Sequence, residues 1–393
     1  MSADLARRVR EARKRAGLTQ KELARLSGVS LSWIRALEQG AYTDTRLETA
    51  RKIAAAVGVP TTALITDHAE EPADAATADQ WEPVSAAVLN PLSVPEEPAQ
   101  TPTVEGVRDA LTAATPLFSD DAFSELRAIL PHLLRDADRL AELEPAGQSV
   151  RARLLQLTGW LLTQSREFDA AEVALRRAFN AAPDALHAAT TVSTQCWLLL
   201  RRGRLTEARE LAIRWADDVE PRMSRATADE LSAWGWLLLR VSAASIRDGR
   251  DDEAKAALRL AKSAAVAMGK EAVPSQDFLR AFGPVTVDLK RAENAMVSDH
   301  PDEVLRIACS NPAERLSPTS NNRNRHLLDV ADAHSQMREY SEAIDTLTRI
   351  RVASPQWLPN QRYARDILGR IVEKRRTLTP EMRELAMAVR LPL

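Results

Sequence analysis

Three observations predict an all-α protein built in two unequal parts. Across 393 residues, Ala and Leu supply the bulk, while aromatic residues make up 4% and glycines number 13, a balance that favours helices over sheet. Capping residues and glycines punctuate the first 66 residues at helix-length intervals. Beyond residue 104 a turn followed by a helix recurs with constant internal phasing. The expected architecture is a five-helix head over residues 1–66, a linker over 67–103 and an array of helical hairpins, an α-solenoid, over 104–393. Length supports the division, since single cores stop growing near ~250–300 residues.

In the head, Leu5, Val9 and Ala12 keep a helical period through residue 16, and Gly17 stops it. Thr19 caps a second helix, with Glu22 three residues later completing a capping box. Gly28 ends that helix, Ser30 caps a third, and Gly40 ends the third. Arg46 to Val57 forms a fourth, stopped by Gly58, and Pro60 opens a short fifth. Ala24 permits close helix crossing, Gly28 supplies a turn with positive φ, and Val29, Ile34 and Leu37 bury the third helix against the second.

From Asp67 to Glu105 the chain holds six prolines, nine acids and no Lys or Arg, the composition of a solvated tether. Its middle, WEPVSAAVLNPL, is apolar enough for a short segment to dock on a neighbour. Farther on, the words SREFDAAEVAL, RRGRLTEAREL, RDGRDDEAKAAL, SDHPDEVLRIA and MREYSEAIDTL align on a turn and the helix after it, anchored at Ala171, Ala208, Ala254, Val304 and Ala343. Pro131 predicts a helix kink, and Gly269 to Pro284 an irregular connection.

The net charge of −2 conceals an asymmetry. Residues 1–66 carry twelve Lys/Arg against six acids, which leaves the remainder at −8. A basic head on an acidic body is the distribution expected if the head alone meets a polyanion. Two distant cysteines, Cys196 and Cys309, and the lack of a basic-then-apolar leader before residue 30 point to a reducing cytoplasm. No apolar run of ~18 residues is present to span a membrane.

The words GLTQKELA, SGVS and ALEQG, with Gln20, Ala24, Gly28, Val29, Ile34 and Leu37 at their spacing, resemble the Cro and phage-repressor type of helix-turn-helix, the XRE family, over residues 4–66. That resemblance implies a transcription regulator that binds double-stranded DNA as a homodimer, associates with the nucleoid when bound and reads an inverted repeat. With Ile34 and Leu37 inward, helical spacing turns Leu31, Ser32, Arg35, Ala36 and Gln39 toward a major groove. Arg35 suits a guanine, Leu31 a thymine methyl, and Ser30 and Ser32 either a phosphate or a base edge. Gln20, at the start of the preceding helix, suits clamping a phosphate while bracing the reading helix. Thr19, Lys21, Tyr42, Thr43 and Arg46 are candidates for phosphate contact. Trp33 sits either at the domain edge or against the DNA backbone. The resemblance also implies an internal ion pair between Arg13 and Glu38.

In the array, Leu155 to Pro183 is similar to a tetratricopeptide repeat, with Gly159, Leu162, Ala171, Leu175, Ala178 and Pro183 at its offsets. FGPVTVDL, RHLLDVADAH and RYARDILGRIV resemble actinobacterial regulators that join such a head to repeats, and more loosely the peptide-sensing regulators of Gram-positive bacteria. Many of those relatives carry Asn at the position of Thr286. A sensing and dimerising role follows for the array, with a peptide, small molecule or protein as effector. Candidate pocket residues are Gln156, Trp160, Gln195, Trp197, Trp234 and Trp236, with packing between hairpins as the other reading of the tryptophans. Asn322, Arg325 and Asp329 form a second cluster after Ser320, where Arg325 and Asp329 also suit an i,i+4 pair. His326, Asp329 and His334 lack metal-ligand spacing. No phosphate loop, nucleophile elbow or His/Cys metal signature is present, so neither catalysis nor a cofactor is expected. The alternative reading is a protein-interaction adaptor whose DNA binding is vestigial.

Overall fold

The computed structural model describes residues 2–16, 18–40, 47–59, 64, 75–91, 101–272, 280–311, 320–375 and 377–391. All regular elements among them are helices. The head contributes α1 (Ser2–Arg15), α2 (Gln20–Ser27), α3 (Leu31–Glu38) and α4 (Leu47–Val57). The expected caps are present. Thr19 Oγ1 accepts the Glu22 N–H at 3.2 Å while the Glu22 carboxylate accepts the Thr19 N–H at 2.8 Å, and Ser30 accepts the Trp33 N–H at 3.3 Å. Gly28 sits at φ 68°, a left-handed conformation that a side chain would strain. Leu5, Val9, Leu23, Ile34, Leu37 and Ile53 close the core with Leu64, the one described residue of the expected fifth helix.

The middle of the acidic stretch docks, as its apolar word suggested, and is no solvated tether. Helix α5 (Ala75–Leu89) buries Trp81, Val84 and Val88 in the core of the large body. Those three follow one helical face at spacings of three and four, a stripe that the surrounding acids and prolines obscure. Trp81 meets Phe123 edge-on at 5.9 Å, and Arg177 donates to the Val88 carbonyl at 3.0 Å.

The body continues through α6 (Val104–Ser119), α7 (Phe123–Leu143), α8 (Gly147–Gln164), α9 (Phe168–Asn180), α10 (Ala185–Arg201), α11 (Leu205–Asp218), α12 (Ala228–Arg247) and α13 (Asp251–Met268). After these come α14 (Pro284–Val297), α15 (Pro301–Ser310), α16 (Ser320–Gln336), α17 (Tyr340–Ala353), α18 (Arg362–Glu373) and α19 (Pro380–Ala388). Helix α7 runs on through Pro131 rather than breaking there. At the other irregular stretch, Gly269 ends α13 in a left-handed conformation, and Ala272 pairs with Phe282 in an antiparallel bridge.

Five anchors were legible, and a sixth hairpin shares their turn. Before α7, α9, α11, α13, α15 and α17 stand Asp121, Arg166, Gly203, Gly249, Asp299 and Arg338, all at positive φ. The N–H of the next residue then reaches back to a carbonyl five positions earlier, as in Glu167 to Leu162 at 2.9 Å and Glu339 to His334 at 2.8 Å. This satisfies an orphan carbonyl at the helix end and sets the angle of return. Ala171, Ala208, Ala254, Val304 and Ala343 are all fully buried, and Leu126 holds the same place in α7. At Gly159 the reason for glycine is packing, since a Cβ there would lie 2.6 Å from Leu175 Cγ.

The array curls until its ends meet. The loop after α17 inserts Trp357, whose Nε1–H lies 2.8 Å from Gln164 Oε1 at the end of α8 and 3.2 Å from Asn321 Oδ1 on α16. Nearby, Gln356 accepts the Ser124 N–H of α7 at 2.7 Å. One apolar cluster consequently joins α5 through α9 to α16 through α19. The first helices of successive hairpins, α8, α10, α12, α14 and α16, face a shared interior.

Candidate functional site

In the head, α3 is the element that local geometry holds outward. Ile34 and Leu37 are fully buried, while Ser32, Arg35 and Gln39 are exposed and Leu31, Trp33 and Ala36 half-buried. Glu38 fixes the helix from behind. Its carboxylate accepts Arg13 Nε at 2.6 Å, Arg13 Nη2 at 2.9 Å and Gln20 Nε2 at 2.8 Å. Burial raises the pKa of Glu38, but the hydrogen bonds from Arg13 and Gln20 and the charge of Arg13 outweigh it and leave the value lowered. The ion pair implied by resemblance is therefore in place, and the Gln20 amide braces the helix through one N–H to Glu38.

Thr19 and Lys21 are exposed beside the start of α2, although the Thr19 hydroxyl is engaged with Glu22. Ser30 lies 3.3 Å from Ser32, hydroxyl to hydroxyl. Tyr42, Thr43 and Arg46 fall outside the described residues.

The head is fastened to the body by a contact that no sequence signal marked. From α4, Arg51 donates to Asp251 at 3.0 Å, at the start of α13, and to Ser298 at 3.1 Å, at the end of α14. Gly249, in the turn before α13, faces the same helix: a methyl there would sit 3.7 Å from Arg51 Cγ and 3.8 Å from Ala55 Cβ.

Inside the array lies a cavity of about 130 Å³. Of the sequence candidates, Trp160, Trp197, Asn322 and Arg325 line it. Trp236 lies beneath it, buried, with its Nε1–H on the Ala281 carbonyl at 3.2 Å. Gln156 is buried beside it, bonded to Arg153 at 2.8 Å, in a recess that also touches Trp160 and Arg280. Two candidates do not belong there. Trp234 is packed in the apolar core around α12, and Gln195 opens onto a separate outer groove of about 430 Å³. One residue's step along α10 carries a side chain about 100° around the axis, so Gln195 and Trp197 cannot share a face.

The residues that sequence reasoning missed are charged. Arg201, Arg240, Arg247, Arg280 and Lys290 join Arg325 on the wall, with Glu293 the one lining carboxylate among the described residues. Glu293 pairs with Arg247 at 2.5 Å and Lys290 at 2.7 Å. Arg240, Arg280 and Lys290 stand 5.1, 5.3 and 5.9 Å from the centre of the Trp236 ring, whose face attracts cations. Asp329 makes no ion pair with Arg325, whose guanidinium instead lies 5.9 Å from the Tyr363 ring. Burial, reinforced by the charge of Glu293, raises Asp329 to about 7. His326 is pulled down to about 4 by burial and then by Lys290, so its ring is neutral at ordinary pH. His334 bonds Glu339 at 2.7 Å, and no metal-binding cluster of three such groups occurs among the described residues.

Thr286 has a structural occupation. Its hydroxyl and N–H both donate to Glu271, a carboxylate that also takes the Val285 N–H at 2.9 Å and so caps α14. Among the described residues, no helix is long and apolar enough to cross a membrane.

Comparison with known proteins bears on the head. The family model described as helix-turn-helix matches residues 9–64. No curated protein and no solved structure matches the chain. The matched segment runs from within α1 through α4 and contains Arg13, Gln20 and Glu38, the groups that brace α3. Residues 9–64 thus form a helix-turn-helix domain, similar to the DNA-binding domains which that family model describes.

Proposed function

We propose that the protein is a sequence-specific transcription regulator that works as a homodimer, reading an inverted-repeat operator with α3 and sensing an effector through its helical body. The observation that carries the reading is α3 itself: a short helix locked to α1 and α2 through Glu38, presenting Ser32, Arg35 and Gln39 to solvent. A helix so placed enters a major groove with few base contacts, each contributing about 1–3 kcal/mol of discrimination. Two heads on half-sites roughly 34 Å apart supply what one lacks.

The Arg51 contact supports the sensing role. Helices α12 and α14 both border the cavity, and the turns at their far ends hold α4. A ligand that shifts either helix changes how the head is held. On this reading the body regulates by binding and is not a catalyst.

The test is a gel shift of the full chain against the DNA upstream of its own coding region. Salt-sensitive binding that is outcompeted only by the same fragment is expected, because phosphate contacts release counterions. Binding to no genomic fragment at low salt refutes the reading.

A further inference from the structure

The central cavity deepens the sensor reading, on which this inference rests, because its charge is unbalanced. Among the described residues, six cations and one carboxylate line it, and Glu293 already serves Arg247 and Lys290. Arg201, Arg240, Arg280 and Arg325 have no carboxylate partner among the described residues. Arg240 bonds the neutral Ser193 carbonyl at 3.0 Å, and Arg280 the Thr190 carbonyl at 3.1 Å. Arg201 is barer still: its buried Nε has no acceptor.

Burial first, and neighbouring cations second, lower Arg201 and Arg280 to about 9, so both remain charged at neutral pH. Charges held away from water without partners are costly, and a fold keeps them where a counter-charge arrives from outside. Even with Asp329 ionised behind the wall, the excess among the described residues is several positive charges.

The geometry narrows the class of anion. The cations come from α10, α12, α14, α16 and the segment before α14, so they surround the space rather than flank one plane. A carboxylate is planar and singly charged, and one guanidinium satisfies it. A phosphate is tetrahedral, carries about −1.5 to −2 at pH 7 and offers three acceptor oxygens. The volume is several times the ~10–15 Å³ that one water needs, room for a phosphate and a small carbon skeleton. Trp160 and Trp197 supply an apolar wall for that skeleton. The outer groove makes the contrast: Arg202 already pairs with Glu172, and Arg204 with Glu207.

We propose that this cavity binds a phosphorylated small molecule, its phosphate held by Arg201, Arg240, Arg280 and Arg325.

The test is isothermal titration of the full chain at low salt with inorganic pyrophosphate and, separately, with citrate. Saturable binding of one pyrophosphate per chain, with a dissociation constant below about 1 mM, is expected, and citrate should bind at least about tenfold more weakly. Arg201→Met should weaken pyrophosphate about tenfold or more while its melting temperature stays equal or rises, since it removes an unpaired buried charge. Should that variant lose cooperative melting, Arg325→Gln carries the same comparison. No saturable binding up to about 10 mM, or unchanged affinity in the folded variant, overturns the proposal. Citrate binding as tightly as pyrophosphate overturns the phosphate assignment. A gel shift on the same preparations reports on the head separately, so failure of the cavity and failure of the DNA reading are distinguishable.

Discussion

Two side chains in the head divide the work of recognition in a way that mutation can separate. Arg35 is exposed at the outward face of α3, and Lys21 is exposed at the start of α2. Arg35→Ala should relax preference at one operator position by about 1–3 kcal/mol, whereas Lys21→Ala should weaken all sequences alike and reduce the salt slope by about one. Binding to a set of single-base operator variants at several salt concentrations checks both. Behind them, Glu38 is a stability residue. Glu38→Ala strips Arg13 and Gln20 of their acceptor and should cost about 2–3 kcal/mol. The sign with pH follows from the lowered pKa: the contribution is present above the ordinary carboxylate value and lost as pH falls through the lowered one. Calorimetry of the full chain should therefore show wild type and variant converging as the pH drops below about 4.5.

At the scale of elements, the repeated turn is the unit that the sequence made visible. Gly203 and Gly249 occupy its left-handed position without strain, but Arg166, Asp299 and Arg338 occupy it with side chains. Such residues cost about 1–2 kcal/mol each in that conformation. Arg338 is exposed, so Arg338→Gly should raise stability by about 0.5–1 kcal/mol, net of the entropy glycine loses on folding. Denaturant titration of the full chain measures this.

The head was legible almost helix by helix because caps and turn glycines act within a few residues. The turn before α7 escaped notice because Leu126 stands where the five recognised copies carry Ala or Val. Helix α5 was legible in part: the word WEPVSAAVLNPL marked a docking segment, while its acidic, proline-rich flanks hid the helix. The cavity was hardest to read, since positions 160 and 325 meet only after several hairpins have stacked. One local clue existed: Arg240 lies inside the apolar run WGWLLLRVSAAS, where a solitary cation asks for a reason.

For the molecule as a whole, the Arg51 contact decides whether head and body behave as one unit. Its partner Asp251 is partly exposed, so the pair contributes only about 1 kcal/mol. That is enough to matter for a domain this small. Arg51→Ala should separate the melting of the head from that of the body and lower the head's transition by about 4–8 °C. A single unshifted transition in scanning calorimetry contradicts this coupling.

The meeting of Trp357 with Gln164 and Asn321 changes what it means for this array to have ends. An open stack of hairpins peels from its outermost members, each of which lacks a neighbour on one side. Here the loop after α17 closes on α7 and α8, so the first hairpins are not left without a neighbour. A disturbance at one hairpin has two routes to any other, clockwise and anticlockwise, and the body loosens like a hoop rather than unravelling like a strip.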